Sequence, residues 1–161
     1  MNVDDLRGKT VGAAVSGGLD SCTATRWLAD HGVDVVCFTA DLGQPDEERV
    51  DYIAERMMRC GAKDAHVVDA KDGVAMAGIE VIQCMATYEG GYWNTTGIAR
   101  HVTVKALLPV IKKQGIRIFS HGATGRGNDQ VRFQLVANML DTEFNVYAPW
   151  RDQAFLDAFP G

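Results

Sequence analysis

The sequence contains no long apolar run, and this absence argues against secretion and membrane insertion. The N-terminal residues "MNVDDLRGKT" lack the apolar segment of a signal peptide, and no stretch approaches the roughly 20 apolar residues that cross a bilayer. The four cysteines include no C-x-x-C pair, which argues against a zinc ribbon, a redox pair or a disulfide framework. We therefore expect a cytoplasmic protein that contacts no membrane.

An excess of basic residues is also absent. The chain has 16 Lys and Arg against 21 Asp and Glu, a formal net charge of −5, which argues against a broad nucleic-acid-binding face. A local basic stretch between Arg100 and Arg117 is the exception. The chain shows no internal repeat or low-complexity segment, and its 161 residues suffice for one domain. We expect a single globular unit over residues 1–161 that meets anionic ligands through local groups.

Apolar segments and helix-like segments alternate along the chain. Runs typical of buried strands occur at residues 10–15, 33–40, 64–70, 116–122 and 144–149. Helical patterns occur near residues 20–31, 46–60, 72–85, 98–114 and 128–140, and another begins at about Arg151. This alternation predicts a doubly wound α/β fold, with a five-stranded, mostly parallel sheet and helices on both faces.

Some segments carry more local predictions. Pro45, followed by three acidic residues, is typical of a helix start, and Pro109 is expected to kink or interrupt the fourth helix. The longest irregular stretch is predicted at residues 86–97. The segment "DQAFLDAFPG" at residues 152–161 is typical of a cut through a longer protein, and the alternative is a helix that docks back on the sheet.

The stretch "AVSGGLDSCT" (residues 14–23) joins the first predicted strand to the first predicted helix. In an open parallel sheet this junction is the usual place for phosphates. Gly17 and Gly18 let the backbone approach a ligand closely, and the hydroxyls of Ser16 and Ser21 can face an anion with the N–H groups of the first helical turn. No lysine follows the glycines, so this is not the G-x-x-x-x-G-K-[ST] loop.

Asp20 adds a carboxylate to this predicted anion site. At about 4 Å it repels each phosphate charge by about 4 kcal/mol at an effective dielectric near 20. We therefore expect Asp20 either to cap the helix or to share a Mg²⁺ ion with the phosphates. The sequence leaves both roles open.

Four segments together carry a family resemblance. "SGGLDS" (16–21) resembles the pyrophosphate-binding loop of the adenine-nucleotide α-hydrolases, which split ATP into AMP and pyrophosphate. "TADLGQPDEE" (39–48), "YWNTTGIAR" (92–100) and "SHGATGRGNDQVRF" (120–133) resemble the N-terminal nucleotide-binding domain of the argininosuccinate synthases, in the same order. Members of that family adenylate citrulline with ATP, and the amine of aspartate then displaces AMP, a step of arginine biosynthesis.

The resemblance implies a set of site residues, with ATP and Mg²⁺ as cofactors and citrulline and aspartate as substrates. The nucleotide would be held by Ala14, Val15, Ser16, Gly17, Gly18, Leu19, Asp20, Ser21, Cys22, Ala40, Gly122 and Asp129. The substrates would be held by Tyr92, Thr95, Thr96, Thr124, Asn128, Asp129 and Arg132. Asp20, Asn128 and Asp129 are expected at the reaction centre, and the separated histidines indicate no metal site.

The sequence departs from the family pattern in two ways. Cys22 stands where the family commonly has a serine, which replaces an oxygen donor by a weaker one and predicts a modest loss of ATP affinity. Family members are also longer, with a second domain that supplies further citrulline contacts and a tetramer-forming arm. We therefore expect this chain to bind ATP and to make little or no argininosuccinate by itself.

Other interpretations remain open. A tRNA-thiolating enzyme of the same fold would need a cysteine pair and a basic face, and a non-catalytic ATP sensor would not need the amino-acid-binding set. "GATGRG" (122–127) resembles a dinucleotide fingerprint but has the wrong spacing. Tyr92 and Trp93 could anchor a loop in the core, Arg132 could pair with a nearby acid, and His121 could be a packing residue.

Overall fold

The computed structural model describes residues 1–44, 50–125 and 127–160. Its strands are β1 (Thr10–Ala14), β2 (Asp34–Asp41), β3 (Asp64–Asp69), β4 (Thr87–Tyr88), β5 (Tyr92–Trp93), β6 (Ile118–His121) and β7 (Asn145–Tyr147). Its α-helices are α1 (Leu19–Asp30), α2 (Asp51–Arg59), α3 (Lys71–Gln83), α4 (Thr95–Lys113), α5 (Asn128–Leu140) and α6 (Gln153–Ala158). Two short 3₁₀ helices cover Val3–Leu6 and Pro149–Arg151.

Five strands form one sheet in the order β3-β2-β1-β6-β7, and every pairing in it is parallel. The chain adds β2 and β3 on one side of β1 and then returns to add β6 and β7 on the other side. The direction of strand addition therefore reverses at β1. In doubly wound sheets, the crevice for ligands lies at this point of reversal, beyond the carboxyl ends of the strands.

Helices cover both faces of the sheet, because successive side chains of each strand point to opposite faces. On one face, Val35 and Cys37 of β2 share a core with residues of α1 and α2, which include Leu28, Ile53 and Met57. On the other face, the core contains Val36, Phe38, Phe119, Leu107, Ile111, Val136 and Ala137. The predicted doubly wound α/β fold is confirmed.

Two local predictions need correction. Helix α4 continues from Thr95 to Lys113 through Pro109, so the predicted interruption is wrong. A proline removes only one helical N–H, and Pro109 lies on the exposed side of the helix. Residues 86–97 are not irregular throughout, because β4 and β5 form an antiparallel hairpin around Gly90 and Gly91, both with positive φ. The helix start predicted at Pro45 lies outside the described residues.

The segment after β7 docks on helix α1. Phe155 of α6 is fully buried, and its ring lies 5.6 Å from that of Trp27, edge to face. The carboxylate of Asp152, which is 6% exposed, accepts hydrogen bonds from the Val3 backbone N–H at 2.7 Å and the Tyr147 hydroxyl at 2.8 Å. Asp152 therefore ties the first helical turn, β7 and α6 together, and Phe155 packs α6 against α1.

No described helix combines the length and apolar character needed to cross a membrane. All four cysteines lie among the described residues and are unpaired.

Candidate functional site

A cavity of about 440 Å³ opens at the carboxyl edge of the sheet, where strand order reverses. The ends of β1 and β2, the loop after β6 and the first turn of α1 form its floor, and α4 and α5 form a wall. The predicted site residues that line it are Ala14, Val15, Ser16, Asp20, Ser21, Ala40, Gly122 and Asp129. Its remaining lining residues are Phe38, Thr39, Leu42, Gln44, Ile53, Arg100, Thr103, Leu107, Ala123 and Phe133.

The loop after β1 is shaped by its own polar groups. The backbone N–H of Ser16 donates to Ser21 Oγ at 3.1 Å, and the two serine hydroxyls lie 3.3 Å apart. Arg56 Nη1 donates to the carbonyl oxygen of Gly17 at 2.7 Å. Gly17 has φ +74°, a backbone conformation that residues other than glycine rarely adopt. The loop is therefore already folded around the start of α1.

Among the described residues, no side chain caps the first turn of α1. The N-cap residue is Gly18, and none of these side chains accepts a hydrogen bond from the first turn. Helical geometry leaves the first N–H groups without intrahelical partners, and the helix dipole places positive potential there. These donors, together with the Ser21 hydroxyl, are available to an anion.

Gly122 faces these donors from the end of β6. A Cβ atom at Gly122 would lie 3.8 Å from Ser21 Oγ and 3.9 Å from Ser21 N. The missing side chain therefore leaves a space beside the free end of α1. This space and its donors suit a phosphate group, which is the part of a nucleotide that would lie at the start of α1.

Asp20 lines the cavity from the first turn of α1. Because Gly18 is the N-cap and the Asp20 side chain makes no capping hydrogen bond, the capping role considered for Asp20 is wrong. Its side chain makes no hydrogen bond with a described residue. Within the described part of the chain, no three His, Cys, Asp or Glu side chains lie together as a possible metal site. A metal ion at Asp20 would need phosphate oxygens and water as its other ligands.

The carboxylate of Asp129 lies between two arginines. Arg100 Nε of α4 donates to Oδ2 at 3.0 Å, and Arg132 Nη1 of α5 donates to Oδ1 at 2.9 Å. Partial burial raises the pKa of Asp129, but the hydrogen bonds and positive charges of Arg132 and Arg100 outweigh that effect, and the net pKa is lowered. Asp129 is therefore an anion that joins the two helices. Arg132 does pair with a nearby acid.

The other predicted substrate residues lie outside the cavity lining. Tyr92 and Trp93 are exposed, so they do not anchor a core, and Tyr92 Oη lies 3.3 Å from Thr96 Oγ1 at the start of α4. Thr95 is the exposed first residue of the same helix. Arg132 Nη2 is 3.4 Å from the position of a Cβ at Gly97, so this guanidinium reaches the same helix start.

Thr124 and Asn128 flank the Gly127 N-cap of α5, and both are exposed. The backbone N–H of Gly127 donates to the Thr124 carbonyl oxygen at 3.3 Å. Leu19, another predicted nucleotide contact, is 81% exposed and does not line the cavity. None of these three side chains lines the cavity.

Cys22 also lies outside the cavity lining. Its Sγ is 3.8 Å from the carbonyl oxygen of Gly17, and it belongs to the residues that pack against the core under α1 and α2. Burial, followed by its hydrogen bond with Cys60 and the charge of that neighbouring thiol, raises the pKa of the Cys22 thiol to about 11. Cys22 is therefore a neutral packing group at neutral pH.

His121 ends β6 directly before Gly122 and is 2% exposed. Its ring stacks on Phe133 at 4.9 Å, and its Nδ1 accepts from the Ala123 backbone N–H at 3.3 Å. Burial lowers its pKa to about 4, so the imidazole is neutral at pH 7. The packing role considered for His121 describes this environment.

Sequence reasoning missed one helix wall of the cavity. Arg100, Thr103 and Leu107 line it from α4, and their spacing of three and four residues places them on one helical face. The sequence pattern predicts Phe38 and Thr39 only as parts of a buried strand. The helical spacing after "YWNTTGIAR" was the signal that could have added Arg100.

Residues 10–157 match the family described as the argininosuccinate synthase N-terminal HUP domain. The chain is 45% identical over 149 residues to argininosuccinate synthase from Rhodopirellula baltica, a match that covers 92% of this chain and 37% of that protein. The chain thus spans little more than a third of the length of this curated relative.

Two solved structures resemble the chain more distantly. NAD⁺ synthetase from Burkholderia pseudomallei is 17% identical with a TM-score of 0.48, covering 99% of this chain and 80% of that one. A universal stress protein in complex with cAMP is 13% identical with a TM-score of 0.43, covering 86% and 94%. Neither likeness informs the function of this chain. The family match spans nearly all of the sequence, and the chain belongs to the family of argininosuccinate synthase N-terminal domains.

Proposed function

We propose that this chain is the ATP-binding domain of an argininosuccinate synthase and that ATP occupies the cavity at the end of β1. The observation that carries the proposal is the uncapped start of α1, which faces the Cβ-free space of Gly122 within that cavity. In the complete ligase, bound ATP supplies the adenylyl group that activates citrulline for attack by aspartate.

The chain's own residues would position these reactants. The loop of residues 14–22 would hold the phosphates through backbone N–H groups, and Ala40 would border the nucleotide from β2. Asp20 would hold Mg²⁺ against the phosphates, because its carboxylate otherwise repels them. The ureido oxygen of citrulline is a poor nucleophile, so its alignment with the α-phosphate and the neutralisation of developing charge should contribute most.

We assign the amino-acid substrates to the mouth of the cavity. Tyr92, Thr96 and Arg132 meet at the start of α4 and offer hydroxyl and guanidinium donors that suit citrulline, with Thr95 beside them. Thr124, Asn128 and Asp129 follow β6 on the adjacent side and suit aspartate. Because the chain spans 37% of its relative's length, we expect ATP binding with little or no argininosuccinate formation.

Calorimetric titration with ATP and Mg²⁺ tests this proposal, with NAD as the control nucleotide. We expect ATP to bind and NAD not to bind, and we expect Gly17→Trp to abolish ATP binding because the loop cannot hold a large side chain at that position. Preferential binding of NAD, or equal ATP binding by the variant, would contradict the assignment of the cavity.

A further inference from the structure

Arg100 is fixed at one end of its guanidinium and unbound at the other. Its Nε donates to Asp129 Oδ2 at 3.0 Å, and the side chain is 35% exposed on the cavity wall. Its two Nη groups donate to no atom of the described residues. Four N–H donors are therefore available on a side chain whose orientation Asp129 already restricts.

The charges around the cavity indicate which kind of ligand these donors would bind. Among the described lining residues, Asp20 and Asp129 carry negative charge, and Arg100 is the single cation. The second partner of Asp129, Arg132, does not line the cavity. A polyphosphate in this cavity would meet two carboxylates, so the one guanidinium present is the side chain that can offset its charge. The planar fork of arginine also matches two phosphate oxygens in a bidentate arrangement.

We propose that Arg100 is a phosphate-binding residue whose Nη groups receive phosphoryl oxygens, with Asp129 acting as the residue that positions it. The identity of the ligand as ATP rests on the proposed function. Binding through the Arg100 guanidinium requires only a polyphosphate anion. Arg100 then binds the anion from the α4 wall, opposite the backbone donors of α1.

Calorimetric titration of the chain with inorganic tripolyphosphate and with ATP, each with Mg²⁺, tests the proposal. We expect Arg100→Met to weaken both affinities roughly 10- to 100-fold, the range for one or two hydrogen bonds to a charged group. Arg100→Lys should fall between wild type and Arg100→Met, because it keeps the charge and loses the fork. The matched control is Lys105→Met, which removes the same charge from an exposed position of the same helix and should change affinity less than about threefold.

The outcomes separate this inference from the proposed function. Tripolyphosphate binding that is lost in Arg100→Met, without any ATP binding by wild type, supports Arg100 and overturns the ATP assignment. ATP binding unchanged by Arg100→Met and Arg100→Lys overturns the inference and leaves the proposed function standing. Equal losses in Lys105→Met and Arg100→Met, or no binding of either anion to wild type, also overturn it. Circular dichroism melting curves establish that each variant is folded.

A double-mutant cycle tests the positioning role of Asp129. In the Arg100→Met background, Asp129→Asn should strengthen tripolyphosphate binding, because it removes a repelling charge and leaves Arg132 without its acidic partner. With Arg100 present, the same change also loosens the guanidinium, so the gain should be at least about fivefold smaller or reversed. Additive effects of the two changes would overturn the positioning role.

Discussion

Replacement of Gly122 by alanine should separate nucleotide binding from stability. Gly122 does not have a positive φ, and its new Cβ would meet only ordinary contacts, at 3.8 Å from Ser21 Oγ and 3.9 Å from Ser21 N. We therefore expect the free energy of unfolding to change by less than about 0.5 kcal/mol. The methyl group would nevertheless occupy the space in front of the Ser21 donors. Loss of one such hydrogen bond to a phosphate costs about 1.5–3 kcal/mol, so ATP affinity should fall roughly 10- to 100-fold.

Two other glycines provide matched comparisons for this variant. Gly78→Ala lies in α3 with no described atom within 4 Å of its Cβ, so it should leave ATP affinity unchanged and stabilise the helix by about 0.5–1 kcal/mol. Gly17→Ala should destabilise the chain by about 1–3 kcal/mol, because φ is +74° and its Cβ would lie 3.0 Å from Ile53 Cγ2. Urea unfolding and calorimetry measure both quantities. Wild-type ATP affinity in a folded Gly122→Ala variant would refute our placement of phosphate beside Ser21.

Three further predictions concern stability and metal dependence. Asp152→Ala should lower the free energy of unfolding by about 2–4 kcal/mol, since it leaves the Val3 N–H and Tyr147 hydroxyl without their acceptor, whereas Tyr147→Phe should cost only about 1 kcal/mol; equal losses in urea unfolding would contradict this. Because the pKa of His121 is lowered to about 4, the unfolded chain takes up its proton first, and stability should fall by up to about 3 kcal/mol as pH drops from near 6.5 to 4. His121→Phe should flatten that part of the pH profile, and an unchanged slope would exclude His121 as its source. Asp20→Asn should weaken ATP binding in calorimetry only when Mg²⁺ is present, and an equal loss without the metal would argue against Mg²⁺ coordination at Asp20.

The fold and the place of the proposed anion site could be predicted from local sequence alone. Buried parallel strands produce continuous apolar runs, and these alternated with helical periods in the order that a doubly wound sheet requires. The glycine-rich turn at residues 16–21 also stood at the one strand-to-helix junction where such sheets bind phosphate. Both features depend on residues that lie close together along the chain, and so the sequence by itself determined them.

Tertiary structure decided which side chains meet. Asp129 and Arg100 are 29 residues apart and pair only because α4 and α5 lie side by side. Val3 and Asp152 are 149 residues apart and meet at opposite ends of the chain. Cys22 follows the loop of residues 16–21 in sequence, yet helical rotation turns its thiol toward the core and away from the cavity. Strand order and helix packing decide these contacts and side-chain directions, and no local pattern in the sequence predicts them.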